Sequence, residues 1–251
     1  MLPTFLIIGA GRCGTTTLYS YLQEHPEVYL PANKRPEPHF FLKQAEYQKG
    51  LAYYRQRYFP VGGHWRAVGE ASVSYLFDPL VPPRIHHDLP DVKLIVCLRN
   101  PIERAFSNYW HTRRSGLESL DFSEAIARET ERTRALTGTL LEEVKPYSYT
   151  ARGFYHEQLM RYLPLFGRSR IHVTLFDDLC CAPAEAVTRV FTFLGVDPLP
   201  AAGYRERVEN RSVPEGSVIP AAERTWLADL FRADVTALGA LLGRDLSHWL
   251  R

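Results

Sequence analysis

The stretch Thr4-Phe-Leu-Ile-Ile8, running into Gly9-Ala-Gly-Arg-Cys-Gly-Thr-Thr-Thr17, decides the fold. Its apolar run is compact and ends in glycines, as a strand buried on both faces does, and Leu18, Tyr19 and Leu22 then recur at helical spacing between Thr15 and Gln23. Strand, glycine loop and helix follow one another. Further along, Val92 to Leu98 is a second buried-strand pattern, continued by Arg99-Asn-Pro-Ile102 into a helix ending near Arg113, with Pro101 suited to its first turn. Ile171 to Phe176 and Ala184 to Leu194 repeat the strand and the helix. Fully apolar strands alternating with helices predict an α/β fold, a single domain over residues 1–251 with a central parallel sheet flanked by helices.

With 251 residues, 45% hydrophobic and 23% charged, the chain has enough apolar surface for a full core, which excludes disordered, collagen-like and coiled-coil classes. Thirty basic against 28 acidic residues leave a formal charge of +2, too balanced for a protein that lives on a nucleic-acid backbone. Cys13, Cys97, Cys180 and Cys181 lack ligand-like spacing, so they read as reduced thiols with neither a zinc site nor a disulfide framework. Phe5 to Ile8 is too short to span a bilayer and nothing resembles a signal peptide, so the expectation is a cytoplasmic chain with no membrane span and no bound metal. The excursion between the first two strand units is rich in Pro, Tyr and Phe, with Pro31, Pro36, Pro38 and Pro60. It serves either as substrate walls or as a structural insertion. Ala221 to Leu242 presents Leu227, Leu230, Phe231, Val235 and Leu238 on one face, a packing helix. Trp226 and the cluster Tyr53, Tyr54, Tyr58 and Phe59 are expected in the core.

Closely spaced glycines at the start of a helix let backbone N–H groups curl toward an anion, so the first loop predicts a P-loop-like phosphate site. A Walker A pattern beginning at Gly9 would place lysine at position 15, where the chain has Thr15. The loop's cation is Arg12, whose planar fork suits a charged oxygen near the 5′ side of a nucleotide, with Thr15 and Thr16 adding hydroxyls. That favours a donor with one 5′-phosphate over a triphosphate. The second strand ends in Arg99 rather than a magnesium-binding carboxylate, and Ser107 follows on the next helix. Arg99 is either part of a metal-free polyanion site or a helix-start ion pair with Glu103.

These residues resemble the 3′-phosphoadenosine-5′-phosphosulfate (PAPS) dependent sulfotransferases, especially the heparan sulfate glucosaminyl branch. The resemblance rests on Ile7-Ile-Gly-Ala-Gly-Arg-Cys-Gly-Thr15, Glu37-Pro-His-Phe-Phe41, Lys49-Gly-Leu-Ala-Tyr-Tyr54, Gly69-Glu-Ala-Ser-Val-Ser-Tyr75 and Leu94-Ile-Val-Cys-Leu-Arg-Asn-Pro-Ile-Glu-Arg-Ala-Phe-Ser107, with weaker echoes at Arg152-Gly-Phe-Tyr155 and Asn210-Arg-Ser212. It implies that Arg12, Cys13, Gly14, Thr15 and Thr16 form the 5′-phosphosulfate loop, and that Arg99 and Ser107 grip the 3′-phosphate. It also implies that Arg211 and Ser212 close over the nucleotide. Two positions depart from the branch, which commonly carries lysine at Arg12 and, in members acting on heparan sulfate, at Ala71.

The implied reaction moves a sulfuryl group from PAPS to a hydroxyl, or an amine, on a carbohydrate or glycosylated small-molecule acceptor and releases adenosine 3′,5′-bisphosphate. Positioning and electrostatics carry most of the catalysis, by analogy with phosphoryl transfer. Arg12 would stabilise the leaving phosphate, Glu37 would be the general base by its motif match, and His39 would orient substrate or base. Glu70, Arg152 and Tyr155 are further substrate-side residues, Glu70 either as a ligand of the acceptor hydroxyl or as a buried partner for an arginine. On residue chemistry alone Glu37 reads as a surface carboxylate. A P-loop kinase or triphosphatase and a non-catalytic nucleotide-binding domain are the alternatives.

Overall fold

The computed structural model describes residues 1–32, 37–59, 62–136, 146–198, 204 and 212–251. Pro36, Pro60 and Arg211 lie outside the described residues. The chain divides into two compact units, Met1–Leu98 with Arg161–Asn210, and Arg99–Met160 with Arg211–Arg251.

The first unit holds the sheet. Its strands are β1 (Phe5–Gly9), β2 (Val28–Tyr29), β3 (Ala67–Ala71), β4 (Lys93–Leu98) and β5 (Ile171–Leu175), in the order β2-β3-β1-β4-β5. Every pairing is parallel, with Phe5 opposite Gly69 on one side and Lys93 on the other. All five residues of β1 are buried, as are all of β4 except Lys93, which is why both read as unbroken apolar runs. The chain leaves central β1 toward β3 and β2 and later returns to set β4 and β5 on the other flank. The strand order therefore reverses at the carboxyl end of β1, where ligands gather in open α/β sheets.

Helix α1 spans Thr15–Gln23, as its spacing predicts. The excursion after it is more than a wall or an insertion, because it supplies β3, the short helices α2 (Gln44–Tyr47) and α3 (Gly50–Tyr58), and an aromatic core. Phe40 stacks on Tyr54 at 4.3 Å between ring centroids, and Phe41 meets Tyr75 edge-on. Tyr54 and Phe59 are buried as expected, whereas Tyr53 and Tyr58 are half-buried. Helices α4 (Val81–Asp88), α9 (Phe176–Cys181) and α10 (Pro183–Leu194) complete this unit, together with the second half of α8 (Tyr155–Phe166).

The second unit is helical and begins directly after β4 in the chain. Helix α5 runs from Pro101 to Arg114, with Pro101 at its first turn. Asn100 caps it, its side-chain oxygen accepting from the Ile102 and Glu103 backbone N–H groups, while its amide donates to the Trp249 carbonyl at 3.0 Å. Helices α6 (Phe122–Ala127), α7 (Glu129–Ala135) and α11 (Ala221–Leu242) follow. Leu227, Phe231, Val235 and Leu238 are buried on α11, but Leu230 is only half-buried. Trp226 corrects the core expectation: one residue before Leu227, it is turned about 100° from that stripe on a helix and is 47% exposed. Among the described residues no helix is long and apolar enough to cross a membrane.

Candidate active site

The glycine loop is built by close packing on both sides. Gly9 ends β1, and a Cβ there would stand 2.7 Å from Leu76 Cβ and 3.0 Å from the Val73 carbonyl oxygen. On the other side the Ala10 N–H donates to the Cys97 carbonyl of β4 at 2.8 Å. Arg12 takes a left-handed φ of 72° and Gly14 one of 81°. Gly14 is also the N-cap of α1 and offers it no side-chain acceptor, so the first turn presents its backbone donors and positive dipole end to whatever the loop encloses. The Cys13 thiol is buried, 3.7 Å from the Gly11 carbonyl. Thr15 is buried, while Arg12 and Thr16 are half-buried.

Glu37 and His39 are carried to this loop by the segment that follows β3. The Val73 N–H donates to Glu37 Oε2 at 3.0 Å, and His39 Nε2 lies 3.4 Å from the same oxygen. Val73 is also a wall of the glycine loop, since a Cβ on Gly11 would meet its Cγ2 at 3.5 Å. One residue thus links carboxylate and loop. The Glu37 side chain retains 17% exposure.

Behind Glu37 lies Glu70, fully buried on β3. Its partners are hydroxyls rather than an arginine: Tyr54 donates to Oε1 at 3.0 Å and Ser72 to Oε2 at 2.9 Å. Burial pushes its carboxyl up to about 7, against the stabilising hydroxyls of Ser72, Tyr54 and Tyr75, with a smaller upward contribution from Glu37. Ser72 in turn accepts from the His39 N–H at 2.9 Å, and His39 itself has a positive φ of 49°. Sequence reasoning missed Ser72 and Val73. The available signal was the two-residue period of extended chain, which puts positions 70 and 72 on one side.

The remaining predicted residues belong to the second unit. Arg99 lies 3.9 Å from Glu103, a loose pair, because the other Glu103 oxygen binds Arg224 at 2.7 Å. Ser107 is buried on α5, Arg152 is buried in a 3-10 turn, and Ser212 is buried. Tyr155 is fully buried, with its ring 6.5 Å from that of Trp249.

The sequence matches the family described as sulfotransferase domain over residues 2–223. It is similar to a crystallised sulfotransferase from Alicyclobacillus acidocaldarius, at 35% identity and a TM-score of 0.81 with all of both chains covered. Human heparan sulfate glucosamine 3-O-sulfotransferase 6 is 34% identical over 77% of this chain and 52% of its own length. Human bifunctional heparan sulfate N-deacetylase/N-sulfotransferase 2 is 27% identical over the whole chain and 31% of its own length. The match therefore spans 31% to 52% of the length of these curated relatives. A glycine loop without the Walker lysine, a carboxylate held beside it and a match over residues 2–223 lead to one assignment: the chain belongs to the sulfotransferase domain family.

Proposed function

We propose that the protein transfers a sulfuryl group from PAPS to a carbohydrate acceptor, with Glu37 as general base. The observation that carries this reading is the double role of Val73, whose N–H holds Glu37 Oε2 while its side chain and carbonyl wall the glycine loop. The loop suits the donor's 5′-phosphosulfate in its chemistry: left-handed backbone at Arg12 and Gly14, a helix N-terminus and a guanidinium. Arg12 through Thr16 would hold that group, and Arg99, Ser107, Arg211 and Ser212 would hold the 3′-phosphate and close over the nucleotide. A carbohydrate acceptor, bearing either a hydroxyl or an amine, is supported by the heparan sulfate relatives. Arg152 stays assigned to the acceptor side on the resemblance, whereas Tyr155, as fully buried as Glu70, supports that side from within the core rather than by contact, and four free cysteines suit a cytoplasmic setting.

PAPS supplies an activated sulfur whose bond to the 5′-phosphate oxygen breaks as the acceptor's bond to sulfur forms. Glu37 takes the proton that the acceptor loses, while Val73 and His39 keep its carboxylate directed. Arg12 meets the charge that grows on the departing phosphate. Glu37→Gln keeps the shape and removes the base, so turnover should fall by about 10²-fold or more. Calorimetric association with adenosine 3′,5′-bisphosphate should be little changed. Sulfate transfer at the wild-type rate by folded Glu37→Gln protein would remove Glu37 from the base role.

A further inference from the structure

The hydroxyls around Glu70 impose a direction. Once ionised, as above its raised value of about 7, the Glu70 carboxylate accepts and does not donate, so Tyr54 and Ser72 then both point their protons at it. With its proton committed to Glu70 Oε2, Ser72 turns a lone pair toward the His39 N–H, which it receives at 2.9 Å. That bond holds a residue at φ 49°, a conformation an L side chain adopts rarely and keeps only under constraint. The constrained residue is two positions after Glu37, and its imidazole lies 3.4 Å from the Glu37 carboxylate. Ser72 immediately precedes Val73, whose N–H holds the same carboxylate, so one short segment anchors Glu37 and His39 together.

We propose that Glu70 and Ser72 are positioning residues for transfer: Glu70 orients the Ser72 hydroxyl, and Ser72 holds the His39 backbone so that Glu37 is presented to the acceptor. This rests on the reading of Glu37 as the base. It also replaces the substrate-contacting role expected for Glu70, which full burial denies it. Glu70→Gln tests the direction of the relay, because an amide NH2 turned toward Ser72 or Tyr54 finds a hydroxyl proton there unless that hydroxyl reverses.

The test uses Ser72→Ala, Ser72→Thr and Glu70→Gln at pH 8, with two readouts. One is hydrogen exchange of the His39 amide, followed by NMR. The other is transfer from labelled PAPS to a de-N-sulfated heparan sulfate oligosaccharide. Ser72→Ala should speed His39 exchange on the order of tenfold, the loss of one hydrogen bond. It should lower kcat by about 10²-fold, as misplacement of a reacting group does, with KM for PAPS little changed. Ser72→Thr, which keeps the hydroxyl, should restore both, and Glu70→Gln should resemble Ser72→Ala. Unchanged His39 exchange in Ser72→Ala overturns the inference whichever acceptor is used. If Glu37→Gln abolishes transfer while Ser72→Ala keeps full kcat, the positioning role fails and the base reading stands. If Glu37→Gln transfers as well as wild type, the base reading fails and the role assigned to Ser72 fails with it.

Discussion

Gly14→Ala perturbs the glycine loop at the point where backbone conformation and packing both demand glycine. Its φ of 81° costs an L residue roughly 1–2 kcal/mol. The added Cβ would also stand 2.8 Å from Phe176 Cδ2 and 3.4 Å from Leu179 Cδ1, an overpacking that costs about 1–3 kcal/mol. Together these predict a destabilisation of roughly 2–5 kcal/mol, read as a lower midpoint in urea unfolding. The two parts separate in a double-mutant cycle. In a Phe176→Ala background the ring is gone, so Gly14→Ala should cost only the backbone share, roughly 1–2 kcal/mol. Equal costs in both backgrounds would show that the Phe176 contact is not what excludes a side chain. A folded Gly14→Ala protein as stable as wild type would refute the strained loop altogether. Because the loop backbone has to shift, association with adenosine 3′,5′-bisphosphate should weaken in the same variant.

Glu70 should make stability depend on pH in a defined direction. Its native value of about 7 lies above the ordinary 4.5, so the folded state keeps a proton that the unfolded chain releases between those values. Stability should therefore fall as pH rises across that window and level off above it, by up to roughly 3 kcal/mol from this residue. The urea stability of Glu70→Gln relative to wild type should rise from pH 5 to pH 8; a constant difference would show that Glu70 does not titrate there. Arg99→Ala should weaken adenosine 3′,5′-bisphosphate binding by about 10–100-fold, the worth of a charged hydrogen bond, and leave adenosine 5′-monophosphate binding nearly unaltered. Equal losses for both nucleotides in calorimetry would take Arg99 off the 3′-phosphate. Asn100→Ala removes the α5 cap and the tie to the Trp249 carbonyl, and should cost roughly 1–2 kcal/mol in urea unfolding. No change in midpoint would mean that water replaces both contacts without loss.

The parts of the fold that were legible are those where hydrophobic burial is uniform. β1 and β4 stand out because strands covered on both faces need little else than apolar side chains, β5 by Ile171, Val173 and Leu175 although His172 and Val173 are only half-buried, and α1 and α5 because their starts carry loop glycines or Asn-Pro. β3 did not stand out. Its Ala-Val-Gly-Glu-Ala sequence includes a glutamate, which is tolerated only because hydroxyls from Tyr54 and Ser72 meet it. The Gly69 in the same strand is required because a Cβ there would press within 2.6 Å of the Phe5 ring. Such compensation depends on residues distant in sequence, and no local pattern reports it. β2, with two residues, is too short for any period to register. The candidate site divides similarly. Arg12 and the glycines were readable as loop chemistry, Glu37 only through its motif, and the hub of Tyr54, Glu70 and Ser72 needed the β3 ladder to become visible.

That ladder also explains why Glu37 and the glycine loop can keep a fixed relation although Glu37 lies in a proline-rich excursion. β1 and β3 are hydrogen-bonded neighbours with Ile7 opposite Ala71, and the pairing continues past β3, where Ser72 N–H donates to the Ile7 carbonyl and Leu76 N–H to that of Ile8. The segment that holds Glu37 is therefore in register with the strand that launches the glycine loop. An error of one residue in that register would turn Glu70 out of its hydroxyl hub, and burying a carboxylate without those partners is costly enough to select the correct pairing. The same buried charge that makes β3 hard to recognise thus penalises slippage. It ties the placement of Glu37 beside the glycine loop to the stability of the sheet, rather than to the conformation of the excursion that carries Glu37.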